Sequence, residues 1–300
     1  MASDSIISKG QVSSKINTLK GGSGENLLIK SGTMFAIIEW RGGKNMKKTI
    51  LAALAIILLF TATASANIFT FRYGYFVPRM SGGPDSLWKI EFDNMSLRKS
   101  DYQGGMIGFN YEYFINKNIS LVLGIDFYSR NKAGYYRDWS MYSINNQEFA
   151  FPVRWFPDGD MIIHSFEVSQ TPFQLSVKIT PLGRRVQFVP YFGGGIGLHL
   201  WSVRIHGRMI DFSDPYIYSD PDLGDIQVYP ITYVVSDETN RFSLGYHAFA
   251  GVMLPIGYRM TLDLGVRYNF LKVNFRDAFE GFEKFDLSGY ILSIGLNYWF

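Results

Sequence analysis

From residue 67 onward, hydrophobic and polar positions alternate with a period of two in segment after segment. In the last, GYILSIGLNYWF, the even positions are Tyr290, Leu292, Ile294, Leu296, Tyr298 and Phe300, and the odd ones are mostly small or polar. In YRMTLDLGVRYNF, Leu262, Leu264, Val266 and Tyr268 oppose Thr261, Asp263, Gly265 and Arg267. Such alternation is a β-strand with unlike faces. It predicts eight strands, near 68–78, 104–115, 119–130, 162–180, 186–206, 242–254, 258–274 and 287–300. No convincing amphipathic helix is predicted among them. In 162–180 the apolar set changes parity near Gln170–Pro172, from Phe166 and Val168 to Phe173, Leu175 and Val177, which predicts a β-bulge there.

Connections alternate in length. Asn116-Lys117-Asn118, Pro181–Arg185 and Pro255-Ile256-Gly257 are tight turns. The gaps 79–103, 131–161, 207–241 and 275–286 are long. Strict alternation of short and long connections over an even strand number predicts an all-β fold, an eight-stranded antiparallel up-and-down transmembrane β-barrel. The polar face holds Gly, Ser, Thr, Asn and charges of both signs, which suits the cramped lumen of eight strands. The large apolar face then meets lipid, with tyrosines at strand ends as aromatic girdles. The competing architecture is a lipocalin-like barrel with its large groups turned inward around a ligand.

Composition sharpens this picture. Mean hydropathy is +0.01, intermediate as expected when only alternate residues face lipid. The net charge of +3 misleads, because residues 1–66 hold 8 Lys/Arg and 3 Asp/Glu of the chain's 29 and 26. The remainder, with 21 and 23, has no basic surface for nucleic acid. With no cysteine, disulfide and thiol chemistry are excluded.

The one long apolar run, Met46–Ala66, reads as a signal peptide: Lys47 and Lys48, an apolar stretch from Ile50 to Phe60, then Ala64-Ser65-Ala66. That stretch of about eleven residues is short for a membrane helix. Three segments follow: 1–45 as a disordered leader or mis-assigned upstream extension, 46–66 as the signal, and 67–300 as the barrel domain.

The segment after Ala66 resembles outer-membrane barrel proteins of the OmpW/OmpX-like class. The resemblance rests on Phe71–Pro78, the Leu87-Trp88 and Phe92 signature, Ser100-Asp101-Tyr102, and the Tyr-rich hairpin at Asn116-Lys117-Asn118. GYILSIGLNYWF is similar to the C-terminal recognition signal of such proteins, with Leu296, Tyr298 and Phe300 as its alternate positions. The resemblance implies the bacterial outer membrane, insertion by the barrel-assembly machinery, contact with outer-membrane lipid and lipopolysaccharide, and a monomer.

Candidate sites follow from the faces. Arg72, Glu112, Asp126, Arg130, Glu167, Lys178, Arg259, Asp263 and Arg267 are assigned to a polar lumen network. His199 and His247 are assigned to the lumen face of neighbouring strands. Tyr135, Trp139, Tyr142 and Trp155, in the aromatic-rich stretch 131–161, are candidates for a vestibule above the lumen. Asp211, Asp214, Asp220, Asp222 and Asp225 are hard oxygen donors at no compact calcium-loop spacing, so no metal residues are assigned. His164 and Ser165 are adjacent and face opposite ways on a strand, the wrong geometry for base and nucleophile. No enzyme and no cofactor is expected. Two functions compete: passing or binding small hydrophobic molecules through lumen and vestibule, or a structural or adhesion role with the barrel as a rigid base for its outer loops.

Overall fold

The computed structural model describes residues 67–184 and 186–300; the leader and signal assignments lie outside them. In chain order the strands are β1 (Ile68–Pro78), β2 (Gly104–Phe114), β3 (Ile119–Ile144), β4 (Gln147–Pro152), β5 (Asp160–Ile179) and β6 (Val189–Ile210). There follow β7 (Tyr216–Asp220), β8 (Gly224–Pro255), β9 (Met260–Phe270), β10 (Lys272–Val273), β11 (Phe285–Asp286) and β12 (Gly289–Trp299). Eight of them close a ring of antiparallel neighbours, β1-β2-β3-β5-β6-β8-β9-β12 and back to β1. Closure is complete at the last residues, where Ile68 faces Trp299 and the Phe300 amide donates to the Asn67 carbonyl at 3.0 Å. A closed ring leaves no free sheet edge.

At the tight end, the side chain of Asn116 accepts from the backbone N–H groups of Asn118 and Ile119, both at 2.9 Å. This Asx-type turn is why four residues suffice between β2 and β3. At the other end two strands, β3 and β8, are far longer than predicted, and β5 and β6 run out beside them. The 22 residues of β6 at ~3.3 Å each, tilted by ~40°, rise roughly 55 Å, about twice the ~25 Å apolar band of such barrels. The gaps 131–161 and 207–241 are therefore largely strand, not loop.

The outer face marks where the apolar band stops. Phe71, Leu175, Leu198, Leu244, Leu264 and Ile294 are exposed on it. Beyond them Ser129 faces Ser169, and Ser169 faces Ser202, in one row across β3, β5 and β6. The next row out is Asn131, Glu167, Arg204 and Asp237, the last on β8. Charged residues side by side on the outward face end the lipid-facing zone.

Above that row the sidedness inverts. Ile162, Phe166 and Val168 of β5 turn inward, joining Trp201, Val203 and Ile205 of β6 in an apolar core. This corrects the predicted bulge at Gln170–Pro172. Even residues of β5 point inward from Ile162 to Lys178, and its pairing with β6 is unbroken from His164 to Ile179. The backbone keeps its phase; what changes is the interior, polar at membrane level and apolar above. Register irregularities fall instead between Tyr135 and Ser140 of β3 and between Trp201 and Val203 of β6.

This upper part is a folded cap. The β3–β4 hairpin turns at Asn145-Asn146, both at positive φ (51° and 65°), the two-residue turn that matches strand twist. A helix, α1 (Leu87–Asn94), lies on the core through Leu87, Trp88 and Glu91, correcting the expectation of no helix. Eight residues with one inward stripe give too short a period to stand out in sequence.

Candidate functional site

The polar residues that the strands turn into the lumen form three linked groups. Arg72 of β1 reaches across to Asp126 of β3, donating Nε to Oδ1 at 2.9 Å, and Arg267 of β9 donates to the other carboxylate oxygen at 3.1 Å. Arg267 also donates to Gln174. Lower down, Glu112 accepts from Lys178 (2.9 Å), Arg184 (3.1 Å) and Ser120 (2.5 Å). Third, the Tyr191 hydroxyl donates to Asp263 at 2.5 Å. Buried charges persist only when paired and hydrogen-bonded in this way. A cavity of about 40 Å³ remains among them, lined by Arg72, Glu112, Lys178 and Arg267, room for about one water.

Arg130 is inward at the upper end, against Gly104. Two assigned residues are elsewhere. Glu167 points outward and pairs with Arg204 at 3.7 Å on the charged row, because β5 keeps its phase. Arg259 is exposed in the β8–β9 turn, since β9 begins only at Met260. His199 and His247 are buried inside; Nε2 of His247 is 2.7 Å from the Ser176 hydroxyl. Leu296, Tyr298 and Phe300 are exposed on the outward face.

The glycines of Gly193-Gly194-Gly195 bring backbones together rather than open a gap. A Cβ on Gly195 would stand 2.0 Å from the Leu175 carbonyl oxygen, and pairing with β5 and β8 is continuous through all three.

Two apolar layers cover the charges. Phe76, Met106, Tyr128 and Ile291 pack together at the lumen's upper end. Above them Trp88 stacks on Phe285 at 4.6 Å and meets Phe166 edge-on at 5.2 Å. Its indole N–H is fixed on the Asp286 carbonyl at 2.9 Å. Burial pushes the Tyr102 and Tyr136 hydroxyls up, with the charge of Glu91 adding to it. Glu91 of α1 meets His164 of β5 at 2.7 Å, and Ser165 points to the other side of the sheet, so among the described residues this histidine is tied to the helix and not to a nucleophile.

The candidate vestibule residues part company. Tyr135 lies exposed on the cap's outer face. Tyr142 packs with Phe151 and Phe156 at 5.4 and 5.6 Å. Trp139 and Trp155 do come together, in a groove of about 280 Å³ with Phe212, Tyr229 and Gln227. The space above the lumen, where a vestibule would stand, is filled by the cap core. The acidic residues of 207–241 serve local turns: Asp220 accepts from the amides of Asp222 and Leu223, and Asp225 from the Ser219 hydroxyl.

A closed eight-stranded ring, lipid-facing outside and salt-bridged inside, is matched by a family model, the outer membrane protein β-barrel domain, over residues 52–300. The chain belongs to that family. It is a protein of the bacterial outer membrane. Among solved structures, this outer-membrane barrel is similar to Neisserial surface protein A, with 14% identity over 78% of this chain and 97% of that one, TM-score 0.38. It is also similar to the attachment invasion locus protein of Yersinia pestis, 10% over 79% and 100%, TM-score 0.38. Outer membrane protein W of E. coli follows, 14% over 79% and 100%, TM-score 0.35. No curated protein matches it. Likeness at this level carries no function across. The Trp88–Phe285 stack had no sequence signal, since its two residues are brought together only by the ring's closure; Phe212 and Tyr229 meet through the β6–β8 pairing.

Proposed function

We propose that this outer-membrane barrel is a closed base whose work is done by its folded cap, as a binding or adhesion platform at the cell surface. The observation that carries this reading is the double seal of the lumen. A salt-bridged network fills it at membrane level, and an apolar core of Trp88, Phe166, Trp201 and Phe285 fills its mouth. A passage for polar solute would have to break buried charge pairs, and one for apolar solute would have to cross them.

A cap held by strand pairing and a core of its own is a rigid surface, and rigid surfaces lose little entropy on binding. The test shortens the β3–β5 and β6–β8 excursions to tight turns just above the serine row. The shortened barrel is expected to keep its shift between boiled and unboiled samples in gels, while cells carrying it lose attachment to the surfaces that the wild type binds. Unchanged attachment contradicts the proposal.

A further inference from the structure

The groove between Trp139 and Trp155 lies at the outer end of the cap, apart from the lumen. Its walls are aromatic: Trp139 meets Tyr229 edge-on at 5.2 Å and Phe212 at 5.6 Å, and Phe212 meets Tyr229 at 5.0 Å. Trp155 is 42% exposed, with the guanidinium of Arg154 over its ring at 3.8 Å. Three strands converge to build it, because β4 pairs with both β3 and β8 and brings Pro152 opposite Trp139 and Ala150 opposite Tyr229.

The groove holds unspent hydrogen-bonding capacity. The Tyr229 ring is buried, while its hydroxyl lines the cavity and has no hydrogen-bond partner among the described residues, so it is open to solvent or to a ligand there. The indole N–H groups of Trp139 and Trp155 and the amide of Gln227 are likewise unpartnered among the described residues. Arg154 and Asp225 add one charge of each sign to the lining.

We infer that this groove is a sugar subsite, taking one or two pyranose rings of an uncharged or amino-substituted glycan. A pyranose offers C–H faces to aromatic walls and hydroxyls to donors and acceptors at the edge, and the groove supplies both. At about 280 Å³ it stands at the small end of ligand sites, roughly 300–1,000 Å³, which suits a sugar ring and not a lipid chain. A sulfated or other strongly anionic glycan is disfavoured by Asp225 and by Asp220 and Asp222 in the adjoining β7–β8 hairpin.

The inference rests on the surface-platform reading and names its ligand class. The full-length protein, folded in detergent micelles, is titrated with methyl β-glucoside, methyl β-galactoside, N-acetylglucosamine and glucosamine. Tryptophan fluorescence and saturation-transfer NMR report binding. A saturable response to at least one sugar is expected at millimolar concentration. Trp155→Ala and Gln227→Ala, both at exposed positions, should each weaken it about tenfold, equivalent to ~1.4 kcal/mol, with the gel shift unchanged. No saturable response, a response that both variants leave intact, or stronger binding of glucosamine 6-sulfate or of naphthalene overturns the sugar assignment. If that happens while attachment still depends on the cap, the subsite falls alone; solute flux through the wild-type lumen would instead remove the platform reading.

Discussion

The indole of Trp88 lies on the ring of Phe285, 4.6 Å between centroids and 18° between planes. One comes from α1 and the other from the chain just before the closing strand, and they meet over the mouth of the barrel. Trp88→Ala should cost roughly 3–5 kcal/mol, as for other large-to-small changes in cores, and the loss should be local to the cap. Hydrogen exchange and proteolysis at 87–94 are expected to accelerate, while the gel shift of the closed barrel persists. Loss of that shift would show that plug and barrel are one cooperative unit.

Asp126 neutralises two arginines, its side chain 1% exposed and that of Arg72 10%. Asp126→Asn leaves both cations buried and under-compensated, a change expected to cost about 3–5 kcal/mol. Arg72→Met combined with Asp126→Leu should cost less than the two single changes added together. Urea unfolding in micelles measures all four proteins.

The serine row predicts a boundary in the cost of charge. Leu264→Arg, within the lipid-facing zone, should destabilise by roughly 2–4 kcal/mol in liposomes, and Tyr233→Arg, on the outer face of the cap, by about 0–1. Equal costs at the two sites would misplace the boundary.

Acid should loosen the cap through Asp286. Burial alone would raise its carboxyl, but hydrogen bonds from Ser288 and Ser81 outweigh it and hold the group below its ordinary value of 3.8. A group depressed in the folded state contributes stability that is complete above the unfolded value and is lost as pH falls through the folded one. Proteolysis at 79–86 should therefore quicken only below about pH 3.8, and Asp286→Asn should remove that acid-dependent rise.

Much of the barrel was legible because at membrane level the rule is simple: apolar residues outward, polar inward, on every strand. The bounds of β1 and the phase of β12 follow from that rule. It fails above Ser129, Ser169 and Ser202, where water replaces lipid and the apolar set changes faces. That inversion made β5 look bulged and put Glu167 in the lumen. Arg259 was misplaced because the alternation continues two residues into a turn. In the groove, Trp139 and Trp155 were visible as aromatic neighbours in sequence. Phe212 and Tyr229 were not, because β4 joins the two excursions by only two facing pairs, Phe149 with Pro230 and Ala150 with Tyr229.

The central claim is that the lumen is sealed and the cap is the working part. It is tested most directly by solute release from liposomes holding the refolded wild-type protein and loaded with one small polar and one small apolar dye. Release of both at the rate of protein-free liposomes is predicted; faster release of either, abolished when the protein is unfolded, would contradict it.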